Sequence, residues 1–249
     1  MAIKRRIRDY IERATHTHIY RKLPHGVELS ADIMNRLPGL KVRVVVDVGA
    51  NLGQSSIEFL RWFPTAQIYC FEPVEDTFRQ LQLKLKGYDR IHSFRMALGA
   101  SRGKRWMSHQ GSPDMYRLIN RKDALTMEDP LREEVNLDTL DAFCLSSQLD
   151  HIGYLKIDTE GADLEVLRGS EAMLKAHRID LVQVEAGMNC RNELHVPFEA
   201  LKEFLESRGY FLFGIYHQMP EWFTNQPHLR WSDLVFVSGT VAKAFNWDI

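Results

Sequence analysis

Residues 41–48 read Lys-Val-Arg-Val-Val-Val-Asp-Val, and the run breaks on Gly49. β-Branched residues this dense, without a polar residue at every second place, form a strand covered on both faces. Such strands belong to parallel sheets wrapped by helices, so an all-helical chain and a half-solvated antiparallel sheet are both excluded. The rest of the chain keeps the same grammar. A helix is expected over 54–63, ended by Pro64. Further strands are expected over 67–71, 91–97, 154–157 and 181–185, with helices over 74–85 and through Leu164, Leu167 and Met173. A helix over 198–207 stops at Gly209, and strands over 210–216 and 234–237 follow, joined by a long loop with Pro220 and Pro227. No crossover helix fits between them, so this last pair is expected to be antiparallel. The fold class is therefore α/β: a mainly parallel seven-stranded sheet, helices on both faces, and an antiparallel C-terminal hairpin.

Residues 1–40 stand apart as a lead-in to a domain spanning 41–249, in which the polar, turn-rich stretch 100–135 is read as an insertion near the active site. Ile3, Ile7, Tyr10, Ile11 and Ala14 fall at helical spacing among Lys4, Arg5, Arg6, Arg8 and Arg13, so the chain opens on a basic amphipathic helix. Its apolar stripe is expected to pack on the domain or to make a homodimer; a lid or a membrane-surface contact is the other reading. A net charge of −1 argues against a nucleic-acid partner held by bulk electrostatics. The three cysteines, Cys70, Cys144 and Cys190, lack metal-ligand spacing, and Cys70 reads as a buried apolar residue in a reducing, cytoplasmic setting. No apolar run approaches the roughly 18 residues of a transmembrane helix.

Chemistry concentrates at three strand ends. Asp47-Val-Gly49-Ala50-Asn51-Leu-Gly53 joins the first strand to its helix, where open α/β sheets bind ligands and where glycine lets the backbone approach one. Asn51 stands where the dinucleotide fingerprint needs its second glycine, and no Lys-Ser/Thr follows as a phosphate loop requires. The acidic entrance suits a ligand carrying ammonium and sulfonium groups better than a pyrophosphate. Glu72, followed by Pro73, ends the second strand, where a carboxylate can accept both hydroxyls of a ribose. The candidate cofactor contacts are thus Asp47, Gly49, Ala50, Asn51, Gly53, Glu72, Pro73 and Ala97. The third segment, Leu155-Lys-Ile-Asp158-Thr-Glu160-Gly161-Ala-Asp163-Leu-Glu165, puts Asp158 and Glu160 at a strand end, where charge needs a partner or a ligand. Asp163 and Glu165 read as first-turn helix charges.

These segments, with Phe71-Glu72-Pro73, Leu137-Asp138-Thr-Leu140-Asp141, Val166-Leu-Arg-Gly169 and Val184-Glu185, resemble the FkbM family of methyltransferases, in the same order from Val44 to Glu185. The resemblance implies a Rossmann-like class I methyltransferase fold, S-adenosylmethionine as methyl donor, and O-methylation of a hydroxyl on a sugar, glycolipid, polyketide or other secondary metabolite. It does not reach the N-terminal helix or the stretch 219–231. The alternatives are a nicotinamide-dependent oxidoreductase on a similar sheet, against which Asn51 counts, and a non-catalytic Rossmann-like scaffold.

An alcohol acceptor must lose its proton, so a base belongs nearby. Asp158 and Glu160 are the leading candidates, Glu185 ends the next strand and His217 follows the sixth; His109 is weaker. Asp158, Glu160 and Glu185 offer oxygen ligands that a magnesium or calcium ion would accept, but the sequence does not set their geometry and no metal is expected. Tyr216, Trp222, Phe223 and Trp231 either line an acceptor pocket or pack the hairpin.

Overall fold

In the computed structural model, which describes residues 2–15, 17, 19–20, 22–108, 117–119, 132–221 and 226–248, the valine run becomes β1 (Val44–Val48) at the middle of a seven-stranded sheet. On one side of it lie β2 (Gln67–Phe71) and β3 (Ile91–Phe94). On the other lie β8 (Ile152–Ile157) and β9 (Ile179–Gly187), all parallel. β11 (Gln226–Ser238) then runs antiparallel between β9 and β10 (Tyr210–Glu221), closing the order β10-β11-β9-β8-β1-β2-β3.

Alternation along β1 explains why the run is apolar throughout. Val45 joins Ile68, Tyr154, Leu181 and Val235 in one buried cluster, and Val46 joins Phe71, Leu155 and Val182 in the other. Both valines are 0% exposed, so neither face of the strand meets water. Each such side chain contributes about 2 kcal/mol through burial. The first cluster is covered by α2 (Leu29–Arg36), α3 (Gln54–Trp62), α4 (Glu75–Lys84) and α9 (Gly239–Ala244). The second is covered by α5 (Leu140–Ser146), α6 (Asp163–Arg168), α7 (Glu171–Lys175) and α8 (Phe198–Glu206).

Three features depart from the sequence reading. The strand expected over 91–97 divides: β3 stays in the main sheet, and β4 (Ala97–Leu98) starts a second sheet with β7 (Glu133–Asp138), β5 (Gly103–Ser108) and β6 (Arg117–Ile119). Of these short strands β7 alternates, with Val135 and Leu137 buried between polar neighbours, but over too few residues to stand out in the polar stretch. Their small core is Val74, Ala97, Met107, Val135 and Leu137, set beside the start of α4. At the C-terminus, the expected long loop is mostly strand, because β10 and β11 continue past Tyr216 and start before Leu234 through several register shifts. At the other end, α1 (Ala2–Thr15) forms, but Ile7, Tyr10 and Ile11 of its apolar stripe are all exposed, so the domain does not cover them. The unforeseen α2 packs instead, its buried Asp32 accepting from the Gly26 amide (2.7 Å) and the Tyr216 hydroxyl (3.1 Å). Among the described residues, no helix is long and apolar enough to cross a membrane.

Candidate active site

An open cleft lies at the carboxyl ends of β1, β2 and β8, where ligands bind in open α/β sheets. Its donor side is built around Gly49. The Gly49 and Ala50 amides both donate to the Phe71 carbonyl, at 3.0 and 2.9 Å, which seals the loop onto the end of β2. Gly49 has φ +80, and a Cβ there would stand 1.8 Å from the Asp158 carbonyl, so only glycine lets β1 and β8 close at this point. Glu72 is 7% exposed, and its carboxylate accepts from the Val74 amide (2.9 Å) and the Asn51 amide (3.2 Å). Burial pushes its pKa up to about 7, against the pull of those two hydrogen bonds. The apolar wall opposite comes from Phe71, Met96, Leu98 and Met107. A planar apolar base fits that wall and a ribose fits Glu72, so the residues present suit an adenosyl group.

A row of polar side chains crosses the sheet beneath the cleft. Asp47 and Lys156 are register partners on β1 and β8, and Lys156 in turn faces Gln183 of β9. Lys156 Nζ lies 3.6 Å from Asp47 Oδ1 and donates to Asp158 Oδ2 at 3.0 Å. Burial pulls the lysine pKa down, but Asp158 and Asp47 outweigh it and keep the ammonium charged. Asp47 also accepts from Ser56 of α3 at 2.6 Å and is 0% exposed. Its Oδ1 accepts no hydrogen bond, but the residue does not line the cleft, so the expected contact with a ligand ammonium finds no support in the geometry.

The acceptor side is a cluster of charge. Glu160 stands on the cleft wall with Asp158 and Thr159, in a left-handed conformation (φ +51) followed by Gly161 (φ +95). A Cβ on Gly161 would meet the Leu194 carbonyl at 2.3 Å, so this glycine lets the loop after β9 lie against the turn. That loop delivers His195, whose Nε2 lies 2.9 Å from Glu185 Oε2 and 4.0 Å from Glu160 Oε2. Asn192 holds the loop: its side-chain oxygen accepts from the Leu194 and His195 amides (3.0 and 3.2 Å), and its amide donates to the Arg230 carbonyl (2.8 Å). Burial and then the Glu185 charge push Glu160 up to about 8. Burial, with Asp158 and Asp163 nearby, raises Glu185 as well. His195 is lowered by burial, so its imidazole is neutral at neutral pH. Asp163, buried and pushed up to about 6 by burial and by Asp158, accepts from the Thr159 hydroxyl at 2.9 Å; it ties the turn to α6.

Of the residues singled out from the sequence, the cleft gathers Gly49, Asn51, Glu72, Pro73, Ala97, Asp158 and Glu160. Ala50 is buried behind the loop, and Gly53 packs on Leu81 of α4. Glu185 reaches the site through His195. His217 does not join them: it is 69% exposed and bonded to Asp233 at 2.6 Å. Among the described residues the group that could hold a metal ion is Glu160, Glu185 and His195, not the Asp158, Glu160 and Glu185 weighed from the sequence; Asp158 is instead bonded to Lys156. Tyr216 is buried against α2 and Trp231 lies by His195, ring centroids 6.2 Å apart. Trp222, Phe223 and His109 lie outside the described residues. His195 was missed because it sits in a loop with no periodicity. The signal that could have found it is Asn192-x-x-His195, three residues from a helix start, shortly after a strand that carries a glutamate near its end.

The strand order, with one antiparallel strand inserted at the edge and a glycine loop and acidic residue at the first two strand ends, defines a Rossmann-like class I methyltransferase. A family model described as the methyltransferase FkbM domain matches residues 47–212, more than half of the chain. The chain belongs to the FkbM methyltransferase family and is an S-adenosylmethionine-dependent methyltransferase, as its motifs led one to expect. The oxidoreductase reading falls with that. The 2-O-methyltransferase NoeI of Sinorhizobium fredii is 23% identical over 177 residues, which cover 66% of this chain and 71% of the relative. Methyltransferase 1 of Beauveria bassiana is 26% identical over 195 residues, covering 72% and 75%. Among solved structures, the precorrin-6y C5,15-methyltransferase of Geobacter metallireducens aligns at 14% identity over 90% of this chain and 95% of that chain, with a TM-score of 0.44.

Proposed function

We propose that the protein methylates a hydroxyl oxygen of a sugar, glycolipid, polyketide or related secondary metabolite. The observation that carries this reading is the Glu160–His195–Glu185 cluster on the acceptor side of the cleft. An alcohol is a weak nucleophile until its proton has somewhere to go, and these groups can take it. The NoeI relative, a 2-O-methyltransferase, agrees with it.

Bound on the donor side, S-adenosylmethionine supplies a methyl carbon already activated by its sulfonium. The chain's own residues do the rest. Glu72 and the Asn51 segment hold the adenosyl end, and Gly49 sets the distance between that end and β8. Glu160, on the wall, receives the acceptor's proton on its carboxylate, and His195 and Glu185 behind it share the charge. Raised to about 8, Glu160 is a stronger base when ionised than an ordinary carboxylate, and its ionised fraction grows as pH rises towards that value. Closing the cleft against water and aligning the acceptor oxygen with the methyl carbon supply most of the acceleration.

Two measurements test the reading. Calorimetry should show S-adenosylhomocysteine binding and no binding of NAD; loss of the former would end the donor assignment. A labelled-methyl screen of hydroxylated acceptors beside their deoxy analogues should label only the hydroxylated members. Label on nitrogen or carbon acceptors alone would reject O-methylation.

A further inference from the structure

The acceptor cluster contains a contact that proton sharing leaves unexplained. His195 Nε2 and Glu185 Oε2 are 2.9 Å apart, yet Glu185 Oε2 is buried and accepts no hydrogen bond, so the ring N–H axis does not aim at it. Two adjacent ligands of one ion show that relation. With metal–ligand distances of about 2.0–2.2 Å, neighbouring donor atoms sit roughly 3 Å apart while their lone pairs converge on the ion. Glu160 Oε2 completes the set, and one donor atom from each of the three residues lies within 4.8 Å of the others. His195 Nδ1 lies 2.9 Å from Asn192 Nδ2 and 3.1 Å from Asn192 Oδ1, so Asn192 can pair with either tautomer, and the form that donates Nδ1–H to the oxygen leaves the Nε2 lone pair for the cluster. The surroundings favour a cation, since Asp158, Asp163 and Asp233 act on Glu185 while the nearby Lys156 is committed to Asp47 and Asp158.

We propose that Glu160, Glu185 and His195 bind a divalent transition cation at the acceptor side of the cleft. Two carboxylate oxygens and one imidazole nitrogen are a donor set for manganese or zinc, and carboxylate-only sites suit calcium or magnesium better. Glu160 lines the cleft, so the remaining coordination positions face the place where an acceptor hydroxyl arrives. With the ion bound, Glu160 would serve as ligand and not as base: the cation would hold the acceptor oxygen and lower its pKa, and the hydroxyl proton would leave to solvent. Only this last step rests on the methyl-transfer reading; the binding of the ion does not.

The whole chain, stripped with a chelator and desalted, is titrated with Mn²⁺ while the electron paramagnetic resonance signal of free ion is followed. Zn²⁺ is then added as competitor, and S-adenosylhomocysteine is titrated into the same preparation by calorimetry. Saturation at about one Mn²⁺ per chain is expected, with Zn²⁺ displacing it. Glu185→Gln and His195→Asn should each weaken Mn²⁺ at least about tenfold, since even outer-sphere changes cost that much. Should either buried variant fail to fold by circular dichroism, Glu160→Gln gives the same test at a partly exposed position. Failure of wild type to take up Mn²⁺ or Zn²⁺ while it binds S-adenosylhomocysteine overturns the metal site and leaves the methyltransferase assignment standing. Uptake that is equal in wild type and variants overturns it too. Uptake lost in the variants, with or without adenosyl binding, supports it.

Discussion

The two sides of the cleft are made of different material. On the donor side, backbone does the holding: amides of Gly49 and Ala50 seal to the Phe71 carbonyl, and the single carboxylate of Glu72 is pinned by amides of Asn51 and Val74. On the acceptor side, side chains do it: Glu160, Glu185 and His195 meet with Asp158 and Asp163 close by. A site for one constant ligand can be rigid and nearly neutral. A site that must accept a proton or a cation has to collect charge and bear the desolvation penalty of doing so. The contrast predicts that damage to the acceptor side will show in turnover, and damage to the donor side in binding and stability.

The largest effect should come from the acceptor side. Glu185→Gln and His195→Asn are near-isosteric and should lower kcat by about 10²–10⁴, the usual range for a lost acid–base group. Affinity for S-adenosylhomocysteine should change less than about threefold, because neither residue touches the donor side and distant sites act independently. Single-turnover kinetics beside calorimetry separates the two quantities. A parallel collapse of cofactor binding would mean that the two sides are one structural unit.

Gly49→Ala probes the seam between them. The new Cβ would stand 1.8 Å from the Asp158 carbonyl at φ +80, so overpacking and left-handed strain together should cost about 3 kcal/mol or more. A lower melting temperature and a loss of adenosyl binding are expected together. Retention of both would show that the ends of β1 and β8 slide past each other freely.

Glu72→Gln acts on the donor side alone and should weaken S-adenosylhomocysteine by about 1–3 kcal/mol, the cost of a misfitted buried hydrogen-bonding group. Its effect on stability has the opposite sign. The folded carboxyl, pushed up from 4.5 to about 7 chiefly by burial, binds its proton more tightly than in the unfolded chain. Stability is full below the unfolded pKa and falls as pH rises from about 4.5 to about 7, by at most about 3 kcal/mol for this group. The glutamine variant, without that titration, should melt less steeply with pH when cofactor-free. An unchanged slope would show that Glu72 is already ionised in the fold.

The same contrast decides what could be read in advance. Asp47 to Gly53 and Glu72 announce themselves because a buried strand, a glycine turn and an acidic strand end are local in sequence. Asp158 and Glu160 are legible for that reason too. His195 is not, since its loop is brought to the site by remote contacts: Leu194 against Gly161, across more than 30 residues, and Asn192 on the Arg230 carbonyl. Asp47 was legible as a position but not as a role: the serine and lysine that occupy its carboxylate come from α3 and β8. The strands of the second sheet are short and their partners remote, so their pattern is lost in a polar stretch.

The smallest effect belongs to His217, and it tests whether chain order misleads about the acceptor side. Its place along β10 is near Glu185 in the sheet, since Asp233, its partner, is the register partner of Glu185. The imidazole nonetheless points to solvent and is raised in pKa first by the Asp233 hydrogen bond, which holds it at the rim. An exposed pair of this kind is worth about 0–1 kcal/mol. His217→Ala should therefore change kcat/KM by less than about fivefold and leave its pH profile in place, because 1 kcal/mol is a factor of about five in rate. A loss as large as that of His195→Asn would put a proton-handling group on β10 as well as around Glu160. It would also show that Asp233, with Gln183 bonded to it at 2.8 Å, carries the proton path across the sheet.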